Sequence, residues 1–157
     1  MPCLWFDNQA EEAVNFYLSV FKNSKILDIA RFTESMAAAS GQPNGSVMTV
    51  AFQLEGQDFL ALNGGPHFSF SHAVSFVVRC DSQKEIDYCW EKLSEGGEIE
   101  QCGWLRDKYG LSWQIVPSNI GELLDNRNGS RTERVMKALL EMKKIDMNTL
   151  QKAYQQV

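Results

Sequence analysis

Ala73-Val74-Ser75-Phe76-Val77-Val78-Arg79-Cys80 is followed directly by Asp81-Ser82-Gln83-Lys84-Glu85-Ile86-Asp87-Tyr88-Cys89-Trp90-Glu91-Lys92-Leu93. The first run is β-branched and aromatic, as a strand requires, and in the second the apolar residues Ile86, Cys89, Trp90 and Leu93 recur at helical spacing. Asp81 and Ser82 are candidate N-caps, and Ser82 with Glu85 three residues on forms a capping box. Gly96-Gly97 ends the helix. Short strands are predicted near Glu98 to Cys102, Trp104 to Lys108 and Leu111 to Val116, with Tyr109-Gly110 turning the last hairpin.

The same order stands upstream. Met1 to Phe6 reads as a strand, with Asp7 and Asn8 as candidate caps and Glu11 three after Asn8. Ala10, Ala13, Val14, Tyr17 and Phe21 give residues 9 to 21 one apolar helical face. Lys25 to Thr33, Ser46 to Leu54 and Asp58 to Asn63 read as strands, with Glu55-Gly56 as a tight turn. The stretch Glu34 to Gly45, rich in small and polar residues, reads as a mobile loop bordering the site. Aligning Asp7 with Asp81 also aligns Glu11 with Glu85 and Phe16 with Trp90. The chain is therefore predicted to be a duplicated α+β protein, two βαβββ modules at about 1–66 and 72–117 within one domain. After Pro117 the pattern is helical only, with a turn at Asn119 to Leu124 and helices near Ser130 to Lys144 and Asp146 to Gln156. This makes 119–157 a C-terminal helical extension.

The 157 residues suffice to bury roughly 70% of the unfolded surface, and 44% hydrophobic with 22% charged residues is an ordinary globular balance. Residues 1–130 carry 9 Lys and Arg against 17 Asp and Glu, and residues 131–157 carry 6 against 3. An acidic body of this kind argues against nucleic-acid binding, and the basic tail reads as a helix surface. No apolar run is long enough for a bilayer, and the start Met1-Pro2-Cys3 is unlike a secretory signal, so a cytoplasmic protein without membrane partners is expected. Cys3, Cys80, Cys89 and Cys102 contain no CxxC pair and are expected to be reduced and mostly buried.

Leu4-Trp5-Phe6-Asp7, Ala10-Glu11-Glu12-Ala13, Phe16-Tyr17, Asn63-Gly64-Gly65-Pro66, Ser75-Phe76-Val77-Val78 and the run Gly103-Trp104-Leu105-Arg106-Asp107-Lys108-Tyr109-Gly110-Leu111-Ser112-Trp113-Gln114-Ile115-Val116-Pro117 resemble the PhnB-like proteins. Many of those carry a demethylubiquinone methyltransferase-like label. They form a branch of the vicinal oxygen chelate superfamily, which includes glyoxalase and bleomycin-resistance proteins. The resemblance extends to the tail, from Arg134-Val135-Met136 to Met142-Lys143-Lys144-Ile145-Asp146. It implies the duplicated fold and, commonly, a homodimer; the apolar surface of Val135, Met136, Leu139, Leu140 and Met142 is wide enough for such a contact.

Methyl transfer from adenosylmethionine needs a Gly-rich turn leaving a parallel strand, and no GxGxxG is present. The resemblance also implies, for the superfamily's lyases, isomerases and dioxygenases, a divalent metal on His and Glu side chains of the first and last strands of each module. In this chain the first strand has neither residue type, and the places in the second module fall near Ser75 and Gln114, which are neutral. Asp58 is the sole carboxylate on its strand. His67 and His72, five apart, read as loop histidines, with a metal pair as the alternative. Cys102 reads as an inert thiol, or as a cleft nucleophile if a cation or helix N-terminus lies near. Arg106, with Asp107 and Lys108, reads as a solvated edge or as a reader of an anionic ligand.

The expected function is binding of a small molecule, without metal or cofactor, in an aromatic cleft contacted by Trp5, Ser75, Cys102, Trp104, Arg106 and Gln114. Metal-dependent catalysis is the alternative. No catalytic residue is nominated. Strand alternation sets Ser112, Gln114 and Val116 on one face and Trp113 and Ile115 on the other, so Gln114 in the cleft makes Trp113 core.

Overall fold

A computed structural model describes residues 1–156. The chain divides into two compact units, Met1–Phe70 and Ser71–Val157. In the first, β1 (Cys3–Phe6), α1 (Ala10–Val20), β2 (Ser24–Arg31), α2 (Glu34–Ser40), β3 (Val47–Leu54) and β4 (Gln57–Asn63) build a sheet of order β1-β4-β3-β2. The first strand runs parallel to the last, Cys3 opposite Leu60 and Phe6 opposite Asn63, whereas β2, β3 and β4 form an antiparallel meander. Glu55 and Gly56, with φ of 47° and 83°, make the two-residue turn between β3 and β4 that the sequence predicts.

The second unit repeats the pattern with β5 (Ser75–Cys80), α3 (Gln83–Ser94), β6 (Glu98–Ile99), β7 (Trp104–Arg106) and β8 (Ser112–Pro117), in the order β5-β8-β7-β6. Again the first strand lies parallel to the last and the rest are antiparallel. The tail follows as α4 (Ile120–Leu123), a 3-10 turn at Asn126–Asn128, α5 (Ser130–Leu140) and α6 (Met147–Gln155).

In each module one helix, α1 or α3, covers one sheet face. α1 buries Ala10, Ala13, Val14, Tyr17 and Val20 and packs on β3 and β4. α3 buries Ile86, Cys89, Trp90 and Leu93 and packs on β5, β7 and β8. The Ser82 hydroxyl accepts the Glu85 N–H at 3.2 Å, and the Glu85 carboxylate accepts the Asp81 N–H at 2.6 Å, so the box closes one residue early.

Several local expectations are corrected. Glu34–Ser40, read as loop, is helical: Met36 and three alanines are strong helix formers, Ala37 is buried, and Gly41 at φ 75° ends the turn with its N–H on Ala37. Neither Asp7 nor Asn8 caps α1; Gln9 occupies the cap position and makes no capping bond through its side chain. At the start of α5 Gly129 occupies the cap position and Ser130 is already helical. Asp146 does cap α6, accepting the Thr149 N–H at 2.8 Å. Strand β6 stops at Ile99, short of Cys102, and the last hairpin of the second unit is wider than its counterpart in the first. Of the cysteines, Cys80 and Cys89 are buried, Cys102 is half-buried and Cys3 is exposed, and none of the four is in a disulfide.

Candidate functional site

Strand alternation and cross-strand register define the face of the second sheet that α3 does not cover. Trp113, Ile115, Leu105 and Cys80 point to the helix side and are buried. The other face is a grid. One row across the strands is Glu98, Arg106, Ser112 and Ser75, each opposite the next. The adjoining row is Glu100, Trp104, Gln114 and Val77, in which the Glu100 N–H donates to the Trp104 carbonyl at 2.9 Å and Trp104 and Val77 stand opposite Gln114.

Four of the six residues nominated from sequence therefore share this face: Ser75, Trp104, Arg106 and Gln114. The Gln114 amide bonds the Ser75 hydroxyl at 2.9 Å. Trp104 is half-buried, and Val77 is 52% exposed. The Ser112 hydroxyl is fully buried and has no hydrogen-bond partner.

Arg106 is bound by two carboxylates. Its Nε donates to Glu100 at 3.0 Å and an Nη to Glu98. His72 Nε2 lies 2.7 Å from the same Glu100 oxygen. Burial pushes the Glu100 carboxyl up, but the bonds and charges of His72 and Arg106 outweigh it and hold the group below its ordinary value. An ionised Glu100 only accepts, so His72 Nε2 carries the proton in this contact. The guanidinium of Arg106 is thus already satisfied by its own chain, which weakens its nomination as a reader of anions.

Trp5 belongs to the first unit, and Cys102 to the turn that follows β6. The Trp5 indole N–H donates to the Gly65 carbonyl at 2.9 Å, and its ring meets Phe68 edge-on at 5.0 Å, all within the first unit. Cys102 sits in the turn after β6 at φ 59°, where its N–H donates to Met142 and that of Gly103 to Lys143, both at 2.8 Å. This turn anchors the tail.

Sequence reasoning missed three residues. His72 showed no carboxylate nearby in sequence, and its partner Glu100 lies 28 positions away. Asp107, grouped with a solvated edge, is 3% exposed and accepts three N–H donors, from Tyr109 at 2.9 Å, Leu111 at 3.1 Å and Trp113 Nε1 at 2.9 Å. An Asp two and four residues ahead of the N–H groups it binds is an Asx-type turn signal that was present in the sequence. Asn63 accepts the Ala10 N–H at 2.8 Å and donates to Val47 at 3.0 Å, capping α1 from 53 residues away.

The donors present do not fit a metal ion. At the places implied by the resemblance stand Ser75 and Gln114, neutral and bonded to each other, and among the described residues no three His, Cys, Asp or Glu side chains are grouped to hold one. Nor does either parallel strand, β1 or β5, lead into a glycine turn of the dinucleotide kind: Asp7-Asn8-Gln9 and Asp81-Ser82 follow them.

Residues 1–116 match the profile of the family described as 3-demethylubiquinone-9 3-methyltransferase. No curated protein matches the chain. Among solved structures, the PhnB protein from Bacillus cereus is 36% identical, with a TM-score of 0.66, over 74% of this chain and 97% of that one. Protein PA1353 from Pseudomonas aeruginosa is 18% identical with a TM-score of 0.59, over 74% and 95% of the two chains. The fosfomycin resistance protein FosX from Listeria monocytogenes, solved with Mn(II) and sulfate, is 12% identical with a TM-score of 0.53, over 80% and 94%. The last two likenesses speak for the fold alone. No helix among the described residues is long and apolar enough to cross a membrane. The duplicated βαβββ architecture, the profile match and the Bacillus relative agree, and the methyltransferase wording is a family label with no reaction assigned by it: the chain belongs to the PhnB-like, 3-demethylubiquinone-9 3-methyltransferase-like family.

Proposed function

We propose that this protein binds a small molecule, without a metal, on the face of the β5-β8-β7-β6 sheet opposite α3. The observation that carries the reading is the row Glu100, Trp104, Gln114 and Val77, where a half-buried indole stands between a polar amide and an ionised carboxylate. An apolar lining with a few fixed polar groups is what a small-molecule site needs. Ser75 orients Gln114, and Arg106 fixes Glu100. Trp5 and Cys102 are given other work by their bonds to Gly65 and to the tail, so the proposal does not require them. Metal-dependent lyase, isomerase or dioxygenase chemistry is disfavoured by the donor set.

A fragment library screened by saturation-transfer NMR tests this. Hits are expected to weaken in Gln114→Leu and Trp104→Leu with folding intact; hits indifferent to both substitutions overturn the site. Stoichiometric zinc, nickel, iron or manganese that survives dialysis and is lost in Gln114→Leu overturns the metal-free reading. As a second element of the proposal, the protein acts in the cytoplasm as a homodimer, using the exposed Met136 and Leu140 of α5, whose neighbours Val135 and Leu139 are buried. Sedimentation giving only a monomer at micromolar concentration refutes the dimer.

A further inference from the structure

The dipeptide Asn-Gly occurs three times, as Asn44-Gly45, Asn63-Gly64 and Asn128-Gly129. It carries a reaction of its own. The glycine nitrogen, once hydroxide has taken its proton, attacks Cγ of the asparagine; the N–Cγ bond forms, the Cγ–NH2 bond breaks and ammonia leaves. Water then opens the resulting succinimide at either carbonyl, giving aspartate or isoaspartate. Glycine permits the close approach because it has no Cβ, and asparagine is among the thermolabile residues.

The three sites are alike in sequence and differ in what holds them. Asn63 is buried, with its oxygen on the Ala10 N–H at 2.8 Å and its amide on the Val47 carbonyl at 3.0 Å. A Cβ on Gly64 would already strike the Trp5 ring, so ring closure has no room there. Asn128 ends a 3-10 turn and is held twice, its backbone N–H on Asp125 at 2.9 Å and its side-chain amide on the Glu122 carbonyl at 3.3 Å. Asn44 is exposed, and among the described residues its side chain has no hydrogen-bond partner. It lies in the turn that the Ser46 N–H closes on the Pro43 carbonyl at 3.1 Å, and a Cβ built on Gly45 meets nothing within 4 Å.

The attacking N–H is bonded at all three sites, to Phe32 from Gly45 and to Phe6 from Gly64 at 2.9 Å, and more loosely to Asn126 from Gly129 at 3.3 Å. Two features outweigh that looser bond. The Asn44 side chain breaks no contact when it turns onto the glycine nitrogen. Arg31 also donates to the Gly45 carbonyl at 3.1 Å, which sets a guanidinium beside the nitrogen that must become anionic. We infer that Asn44 is a site of spontaneous covalent modification in the folded protein, converting through a succinimide to aspartate and isoaspartate ahead of Asn128, while Asn63 is locked. The product carries a new negative charge one residue before the carbonyl that Arg31 holds, and as isoaspartate it lengthens the main chain of the turn by a methylene.

The folded full chain, incubated at pH 8 and then digested with pepsin in acid, gives the test by mass spectrometry, with electron-transfer fragmentation to separate isoaspartate from aspartate. The Asn44 peptide should exchange NH2 for OH about fivefold faster than the Asn128 peptide, the rate equivalent of one hydrogen bond. The Asn63 peptide should stay unchanged. In urea the three rates should converge, because only the fold distinguishes the sites. Asn44→Gln, whose longer side chain must close a six-membered ring, should abolish the fast conversion and leave that of Asn128 as it was. Asn128 or Asn63 converting as fast as Asn44 in the folded protein overturns the inference, and so does an Asn44 that converts only in urea.

Discussion

Gly64 and the indole of Trp5 are in such close contact that a Cβ on Gly64 would lie 2.2 Å from Cζ2 and 2.4 Å from Cη2 of the ring. The glycine is required by the neighbour, since its own backbone is not in the left-handed region. Gly64→Ala is expected to cost about 1–3 kcal/mol, the usual range for overpacking. In the double variant with Trp5→Ala the two losses should be clearly less than additive, as urea denaturation of the four proteins will show.

Asn63→Ala removes two buried hydrogen bonds at once, the cap on Ala10 and the tie to Val47. Stability should drop by about 2–4 kcal/mol, because each orphaned backbone group adds its desolvation to the lost bond. Amide exchange at Ala10 should accelerate beyond that of the middle of α1. Equal acceleration throughout the helix would count against a capping role.

Asp107→Asn tests the hub under the last hairpin. An amide can still accept from Tyr109 and Leu111 through its oxygen, but its NH2 then faces the Trp113 N–H, donor against donor. A loss of about 1–3 kcal/mol and a shift in Trp113 emission are expected. Unchanged emission would mean that the indole finds another acceptor.

Acid should expose the role of Glu100. Its carboxyl is held below the ordinary value in the folded protein despite burial, through His72 and Arg106. A depressed folded value contributes stability that is fully present above the unfolded value, about 4.3, and is lost as pH falls through the folded value. The stability gap between wild type and Glu100→Gln should therefore be constant from pH 6 to 5, in rough terms, and close below about pH 4. A gap that widens in acid would contradict this.

Gly103→Ala should loosen the tail. At φ 83° an added Cβ would stand 2.8 Å from both the Ile115 carbonyl and Cδ1 of Ile145, which is itself buried. Trypsin is expected to cut at Lys143 or Lys144 faster than in the wild type. The same rate would show that Ile145 repacks without cost.

The duplicated module was legible because each half repeats one order of strand and helix periods, and Ile86, Cys89, Trp90 and Leu93 fall on a single helical face. Alternation along Ser112 to Val116 also sorted Trp113 from Gln114 correctly. Long-range polar contacts were not legible. Nothing local marks Asn63 as the cap of a helix starting at Ala10, or Glu100 as the partner of His72, since both depend on strand register. The helix at Glu34–Ser40 was missed for another reason: small residues were weighed as loop formers, when alanine is the best helix former of all.

The distant cap of α1 also bears on the order of events in folding. With Cys3 paired to Leu60 and Ala10 bonded to Asn63, the first strand and the first helix each wait for the same late stretch of chain. Until that stretch has been synthesised, β1 has no neighbour and α1 has an open N-terminus, and closing so long a loop is slow relative to local hairpins. The β2-β3-β4 meander is the part that can assemble locally. A nascent chain released before residue 63 would thus carry an unpaired apolar strand, Leu4-Trp5-Phe6, and the arrival of Asn63 would complete strand pairing and helix capping in one cooperative step.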